Sequence, residues 1–358
     1  MTDIAGLITG SLLLGWETLL DYLSAHVITC LVPAFFIAGG IAAFLRKDAI
    51  LKYFSPEADK RIAYGIASVS GTVLAVCSCT ILPMFAGLLK KGAGIGPAFT
   101  FLYAGPAINI LAIIYSAQVL GLDIGIARGV LAVASSIAIG LIMTRIYRQE
   151  EAVASRAKAP VPTIPCADER SNRVTLAFFG LLLAILLVGT SSFDVLIRLL
   201  VVYALSLAVA YLLIYHFSRD EVTEWGLETW FLTRKIFPIL LAGTFLLGML
   251  AYFLPPETFR PFIGTNSPLS CLIASLIGAI LYMPTLLEVP IIGTTFGYTA
   301  GIMARGPALS LLLAGPTISL PSLLVIQRIV GVRKTLTYAT LVVVFATIGG
   351  FLFGISGI

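Results

Sequence analysis

The chain has few charged residues and almost no histidine. Only 11% of its 358 residues are charged, and its two histidines, His26 and His216, lie far apart near the ends of apolar runs. The sequence also lacks a Gly-Lys-Ser/Thr phosphate-binding loop, a Gly-x-Ser-x-Gly nucleophile motif and a His-Glu-x-x-His motif. We therefore expect a protein that is not an enzyme, with no metal centre, no cofactor and no ATPase domain on this chain.

Cysteine and clustered positive charge are scarce as well. The five cysteines are odd in number and lie mostly inside apolar segments, which argues against a disulfide framework. The net charge is +5, and the basic residues fall in short loops rather than on one face. This pattern indicates membrane-orientation signals and argues against a nucleic-acid partner.

Long apolar runs dominate what is present. Hydrophobic residues make up 59% of the chain, and many apolar stretches are long enough to cross a bilayer. This composition predicts an all-α polytopic membrane protein with about 8–10 membrane segments in a lipid bilayer. The N-terminus lacks the basic region of a cleavable signal peptide, so insertion through an uncleaved first span is expected.

An internal repeat organises the sequence. Residues 96–108, GPAFTFLYAGPAI, and residues 306–318, GPALSLLLAGPTI, agree at 8 of 13 positions without a gap. This composition would give about one match by chance. A second window, with a slightly different offset, aligns Pro83 with Pro290.

Proline and glycine interrupt the apolar runs of both copies. The predicted helix breaks are Pro83, Gly105 and Pro106 in the first copy, and Pro284, Pro290, Gly315 and Pro316 in the second. Proline removes a backbone donor and clashes with the preceding turn, so a helix is expected to stop or kink there. Paired broken segments in two halves indicate a transport site near the middle of the membrane.

The order of segments predicts five parts. Residues 1–23 are predicted to be an N-terminal interfacial helix or a short span, and whether residues 4–23 cross the membrane is left open. The other parts are a first repeat at 24–146, a cytoplasmic linker at 147–173, connecting spans with an amphipathic helix at 174–235, and a second repeat at 236–358.

The positions of the basic residues favour an inverted arrangement of the two repeats. If the broken segments 62–89 and 269–296 each dip into the membrane and return, every basic cluster falls on the cytoplasmic side. Full crossing of residues 62–89 would instead place the basic loops 46–61 and 145–173 on opposite faces. The prediction is two inverted repeats, each with a re-entrant or broken helix pair, and the alternative is ten ordinary kinked spans.

Cys77, Ser78 and Cys79 lie at the predicted tip of the first hairpin. Thiolates are soft ligands that suit thiophilic metals and metalloids, and a Cys-x-Cys pair on non-helical backbone can direct two sulfur atoms into one cavity. The alternative is that these cysteines pack as small apolar residues.

Glu288 is a carboxylate deep in an apolar stretch of the second half. Burying it ionised is costly, so it is expected to stay protonated, to be paired or to line a wet cavity. A proton-coupling or cation site is the sharper hypothesis, and a hydrogen-bonded structural carboxyl is the alternative.

Asn109 and Ser319 occupy matching places after the two Ala-Gly-Pro breaks, with Thr317 close by. Their amide and hydroxyl groups suit a polar substrate. Capping of the broken helices is the commoner role for such residues.

The motifs CSCTILP, GPAFTFLYAGPAINI, LLEVP and AGPTISLP resemble the bacterial predicted-permease family that includes the trivalent organoarsenical efflux permeases. The resemblance covers most of residues 25–355. It implies a multi-pass permease of the bacterial inner membrane, with efflux of soft, thiol-reactive metalloid compounds, and hence metalloid resistance, as the best-known activity. On this resemblance, Cys77 and Cys79 are the candidate ligands of the trivalent centre.

The sequence thus predicts a secondary-active permease that exports soft, thiol-reactive small-molecule substrates such as trivalent organoarsenicals, with proton coupling through Glu288 as a hypothesis. One alternative is transport of a small sulfur-containing anion. Another, from a different class, is a membrane thiol oxidoreductase. The substrate, the direction of transport, the coupling ion and the presence of a homo-oligomer are left open.

Overall fold

The computed structural model describes residues 4–24, 31–44, 54, 59–74, 78–157, 172–189, 195–253, 259, 261–281 and 288–356. Within these ranges the chain is almost entirely helical and contains no β-strand. The fold class predicted from the sequence, an all-α polytopic membrane protein, is confirmed.

The first half of the described chain begins with two apolar helices and ends with a long one. Its helices are α1 (Ile4–Tyr22), α2 (Val32–Phe44), α3 (Lys60–Leu74), α4 (Ser78–Lys90), α5 (Ile95–Ala107), α6 (Ile110–Val119) and α7 (Leu122–Ala157). The axes of α5 and α6 are bent by 42° at the break between them.

Two helices, α8 (Asn172–Gly189) and α9 (Val195–His216), lead from the first repeat towards the second. The remaining helices are α10 (Arg219–Phe253), α11 (Pro268–Ile280), α12 (Glu288–Pro290), α13 (Arg305–Ala314), α14 (Leu320–Val330) and α15 (Val332–Ser356). The short α12 continues into a π-helical turn, Ile291–Thr295.

Helix length separates these segments into two groups. Three of the described helices are long and apolar enough to cross a membrane, at Leu122–Glu151, Leu196–His216 and Val332–Ser356, or four if the bent pair of α5 and α6 is one span. By contrast, α3, α4, α5, α11 and α13 have only 10 to 15 residues each. At about 1.5 Å per residue they are shorter than the roughly 30 Å hydrocarbon core, as half-membrane segments must be.

Glycine contacts let α5 and α7 cross closely in the first repeat. A Cβ atom at Gly140 would lie 2.8 Å from the carbonyl oxygen of Gly96, so only glycine allows this approach. Beside it, Thr100 Oγ1 donates a hydrogen bond of 3.1 Å to the Ser136 carbonyl. Small residues at such a crossing are typical of helix pairs in membranes.

The second repeat builds the same crossing between α13 and α15. A Cβ atom at Gly350 would lie 2.5 Å from the Gly306 carbonyl oxygen, and Ser310 Oγ donates to the Ala346 carbonyl over 3.1 Å. Each of these residues lies as many positions after its first-repeat counterpart as residues 306–318 lie after residues 96–108. The internal repeat of the sequence is therefore also a repeat of the structure.

The two crossings point in opposite directions. The start of α5 lies beside the end of α7, where the Ile95 N–H donates to the Glu151 carboxylate. The start of α13 lies beside the start of α7, where Arg305 forms an ion pair with Asp123. Because Asp123 and Glu151 are separated by about 42 Å of helix at about 1.5 Å per residue, α5 and α13 begin at opposite faces, as inverted repeats require.

Two of the prolines predicted to break helices lie within helices of the first repeat. α4 begins at Ser78 and runs through Pro83 to Lys90, so Pro83 lies inside a helix rather than at its end. Residues Thr80–Leu88 of α4 are all buried, so packing offsets the one backbone hydrogen bond that proline removes. At the other break of this repeat, Pro106 lies in the last turn of α5, close to the predicted end.

Two other helices extend beyond the predicted boundaries. α10 joins the predicted amphipathic segment to the next span through Pro238, so the boundary between residues 235 and 236 lies within one helix. α7 continues to Ala157 and makes the first part of the predicted linker helical, because this part is rich in the good helix formers Arg, Gln, Glu and Ala.

The N-terminal helix α1 packs antiparallel along the last turns of α10. Gly10 lies against Tyr252, and Gly248 lies against Thr18. This contact places α1 beside the apolar end of α10, and its crossing of the membrane stays a prediction.

Candidate functional site

The C-terminal ends of α5 and α13 meet between the two repeats. The hydroxyl of Tyr103 on α5 donates to the Leu313 carbonyl on α13 over 3.4 Å. The Thr317 hydroxyl donates to the same carbonyl over 3.2 Å. Since α13 ends at Ala314 and the Thr317 N–H bonds to the Ala314 carbonyl instead, these hydroxyls satisfy an acceptor that the broken helix leaves open.

The predicted polar contacts Asn109, Thr317 and Ser319 lie at the junctions after α5 and α13 and are buried, at 8%, 3% and 3% exposure. The Ser319 N–H donates to Ser322 Oγ over 2.8 Å, and the two hydroxyls lie 2.8 Å apart, which caps the start of α14. The hydroxyls of Thr317 and Ser319 therefore serve the broken helix in this conformation. Their contact with a substrate stays a prediction.

Glu288 forms an ion pair with Arg128 inside the protein. Glu288 is the first residue of α12 in the second repeat, and Arg128 lies on α7 of the first. Arg128 Nη2 and Glu288 Oε2 are 3.4 Å apart, and both side chains are 0% exposed. Arg128 Nη1 also donates to Ser116 Oγ on α6 over 2.8 Å. The predicted burial of the carboxyl is thus accompanied by a charged partner from the other repeat.

Gly315 makes room for this carboxylate. A Cβ atom at Gly315 would lie 2.6 Å from Glu288 Oε1 and 3.1 Å from the Leu311 carbonyl oxygen. Its φ of −55° is ordinary, so glycine is required here for space rather than for backbone conformation. The structure therefore brings together two residues that the sequence singled out separately, the helix break and the buried carboxyl.

The predicted thiol site is only partly within the described structure. Cys77 and Pro284 lie outside the described residues, and Ser78 and Cys79 begin α4 with side chains that are not described. Within the described ranges, no group of three or more His, Cys, Asp or Glu could hold a metal ion. The meeting of the cysteine tip with Glu288 stays a prediction.

Arg128 is a candidate site residue that its position in the sequence did not reveal. It is six residues after the start of α7, close to the end of an apolar segment, where a basic residue is ordinarily solvated. The available signal was an arginine inside an otherwise apolar run, which marks a functional position in a membrane segment.

Two inverted repeats that meet at broken helices around a buried ion pair form an architecture typical of membrane transporters. The chain belongs to the predicted permease family ArsP_1, whose family model matches residues 13–355. This confirms the family resemblance read from the motifs, and the protein is accordingly a membrane permease.

Two relatives show how far the likeness extends. The UPF0718 protein MJ0584 of Methanocaldococcus jannaschii is 43% identical over 354 residues, which are 95% of this chain and 94% of the relative. The UPF0718 protein YraQ of Escherichia coli is 21% identical over 318 residues, which are 87% of this chain and 74% of the relative. No solved structure gives a significant match.

Proposed function

We propose that this permease is a secondary-active exporter of soft, thiol-reactive solutes such as trivalent organoarsenicals, and that it acts in a bacterial inner membrane. The observation that carries the proposal is the meeting of two inverted, broken helix pairs around the buried pair Arg128–Glu288. Irregular backbone at membrane depth is tolerated only where protein or a water-filled path surrounds it, which is where transporters bind their substrates.

The Cys-Ser-Cys element supplies the thiol chemistry in this proposal. Cys77 and Cys79 flank the start of α4, whose described part packs against α2, α5 and α14. A helix N-terminus stabilises a nearby thiolate, and thiolates bind trivalent arsenic as soft ligands. Tight chelation by two thiolates would slow release, so we expect brief contact with one thiolate at a time.

Replacing either cysteine tests this proposal. In a strain that lacks its own arsenical efflux, C77S and C79S should each lower resistance to trivalent methylarsenic to the level of cells without the permease. The matched control is C271S, because Cys271 is buried between α11 and α13 at 0% exposure and lies outside the proposed path. Immunoblots of membrane fractions should show equal amounts of all three variants.

The opposite outcome is equally clear. If C77S and C79S insert normally and keep the resistance of the unmodified protein, the thiol role is wrong. If C271S alone loses resistance, the relevant thiol is not at the tip of the first hairpin.

A second candidate is transport of a small sulfur-containing anion, and the burial of Arg128 favours it. A guanidinium held inside a membrane protein is costly unless it has an anionic partner, and oxyanions suit its planar donors. Under this candidate, sulfite or thiosulfate should raise the melting temperature of the purified protein, and arsenicals should not.

A further inference from the structure

The pair between Arg128 and Glu288 does not engage every polar atom of the two side chains. In the described residues, Arg128 Nε and Glu288 Oε1 have no hydrogen-bond partner, although both side chains are fully buried. Buried polar atoms are almost always paired, and an unpaired one is unfavourable. These two atoms are therefore available to form hydrogen bonds with another ligand.

The one contact that joins the two side chains is also long. Arg128 Nη2 lies 3.4 Å from Glu288 Oε2, whereas a strong guanidinium–carboxylate pair is bidentate with bonds of about 2.7–2.9 Å. The firmer bond of Arg128 is with Ser116, at 2.8 Å. The guanidinium is thus held mainly by its own repeat, and its contact with Glu288 is the part that can be exchanged.

The two charged residues of the pair belong to different repeats. Arg128 and Ser116 lie on α7 and α6 of the first repeat, and Glu288 and Gly315 belong to the second. Alternating access in inverted-repeat transporters moves one repeat or bundle against the other. A movement of the first repeat against the second would change the distance between the two charged groups.

Charge balance then defines what can replace the carboxylate. With Glu288 ionised the site is neutral, and with Glu288 protonated it carries the single positive charge of Arg128. A lone buried charge is strongly unfavourable, so the protonated state requires an anion. We propose that Arg128 is the binding site for a singly charged anionic group of the solute, which replaces Glu288 when that carboxyl takes up a proton.

The exchange involves one proton and one anion, and no covalent bond other than the O–H bond of Glu288 changes. The proton comes from solution, Arg128 stays protonated, and the site is neutral before and after. Among the described residues, Arg128 is the charged group paired with Glu288. Two tyrosine hydroxyls reach the same break from surrounding helices: Tyr103 on α5 donates to the Leu313 carbonyl, and Tyr338 on α15 donates to the Thr317 carbonyl.

This inference rests on the protein being a permease but not on an arsenical substrate. The ligand class is a small carboxylate, sulfur oxyanion or thiolate-bearing solute with one negative charge on the group that reaches Arg128. An arsenical carrying such a group would satisfy both the thiol site and Arg128.

Proton uptake by the unmodified full-length protein is the first test. Acetate and methanesulfonate, which are both singly charged near neutral pH, are titrated into weakly buffered, detergent-purified protein at constant ionic strength, and the pH change is recorded. We expect about one proton taken up per anion bound, because the carboxyl must be neutralised before the anion enters. Anion binding without proton uptake, or no binding of either anion under acidic conditions, would overturn the proposal.

Amide substitution is the second test. E288Q mimics the protonated carboxyl, so at neutral pH it should bind the same anions at least about tenfold more tightly than the unmodified protein, and without proton uptake. The double variant R128Q/E288Q removes both charges and should lose this binding. E228Q is the matched carboxyl-to-amide control, because Glu228 pairs with Lys90 at the surface, and it should behave as the unmodified protein.

The outcomes separate this inference from the proposed function. Anion binding that persists in R128Q/E288Q would show that the anion binds elsewhere and would overturn the inference, even if C77S abolishes arsenical resistance. Proton-linked binding that depends on Arg128 would support it, even if C77S keeps that resistance. If E288Q does not fold, proton uptake by the unmodified protein still decides the question.

Discussion

At the scale of single residues, Gly315 is where the helix break and the ion pair depend on each other. Because Gly315 has no side chain, Glu288 Oε1 can lie 2.6 Å from the place where a Cβ atom would be. The same residue follows the last residue of α13, so the backbone of the break lies directly against the carboxyl. A change at Gly315 therefore tests the site without removing either charge.

We predict that G315A moves Glu288 away from Arg128 and abolishes transport while the protein still folds. Forcing one methyl group into a packed site costs about 1–3 kcal/mol, which lowers the melting temperature without preventing insertion. The measurements are thermal unfolding in detergent and transport in everted vesicles. G180A is the control, because a Cβ atom at Gly180 meets nothing within 4 Å and alanine favours a helix.

Normal transport by G315A would show that the carboxyl does not need this position. A loss of transport in G180A of the same size would show that the assay reports general damage to the helices.

At the scale of elements, the crossings of α5 with α7 and of α13 with α15 carry the repeat. Both rely on a glycine of the second helix facing a carbonyl and a hydroxyl of the first. A Cβ atom would lie 1.9 Å from Thr100 Oγ1 at Gly140, and 1.9 Å from Ser310 Oγ at Gly350. The two crossings therefore offer matched sites for the same substitution.

We predict that G140A and G350A destabilise the protein by similar amounts, each about 1–3 kcal/mol. The added methyl group must push the two backbones apart and break the hydroxyl–carbonyl bond at each crossing. Thermal unfolding in detergent measures both. G65A is the control, since nothing lies within 4 Å of a Cβ atom at Gly65 on α3.

The test compares the loss of stability in G140A with that in G350A. If one crossing tolerates alanine and the other does not, the two repeats do not share the same close glycine packing. If G65A destabilises as much as either variant, helix propensity rather than crossing distance is being measured.

At the scale of the whole molecule, charged residues mark two faces. Lys334 pairs with Glu150 over 3.0 Å, and Glu151 accepts the Ile95 N–H, so the start of α15, the start of α5 and the end of α7 share one face. Arg305 and Asp123 pair at the other end of α7. The excess of basic residues at the first face predicts that it is cytoplasmic.

Single-cysteine labelling tests this orientation. In a background whose five native cysteines are replaced by serine, R333C and R148C should react with an impermeant maleimide only from the cytoplasmic side. A300C, in the exposed turn before α13, should react only from the outside. R148C and R333C also control each other, because they lie on different helices at the same face.

Labelling of R333C and A300C from the same side would contradict the inverted arrangement. If R333C is labelled only from the outside and A300C only from the cytoplasmic side, the inverted arrangement stands. Only the orientation predicted from the basic residues is then wrong.

The membrane class, the repeat and the positions near which helices end could all be predicted from the sequence, because they follow from local effects. Apolar length decides whether a segment can cross lipid, and a proline beyond the first turn of a helix removes a backbone hydrogen bond. The breaks after Gly105-Pro106 and at Gly315-Pro316 follow this rule. By contrast, α4 continues through Pro83 and α10 continues through Pro238, because contacts with neighbouring helices stabilise them as well as their own hydrogen bonds.

The partner of Glu288, by contrast, is set by how the two repeats pack together. Arg128 is 160 positions away in the chain, and near the start of α7 it has the sequence context of a solvated end-of-span residue. Its burial depends on α6, α12 and α13 packing around α7 from both repeats. The physical reason is that the free energy of a charge in a membrane protein depends on its surroundings in space, and those arise only when the two halves come together.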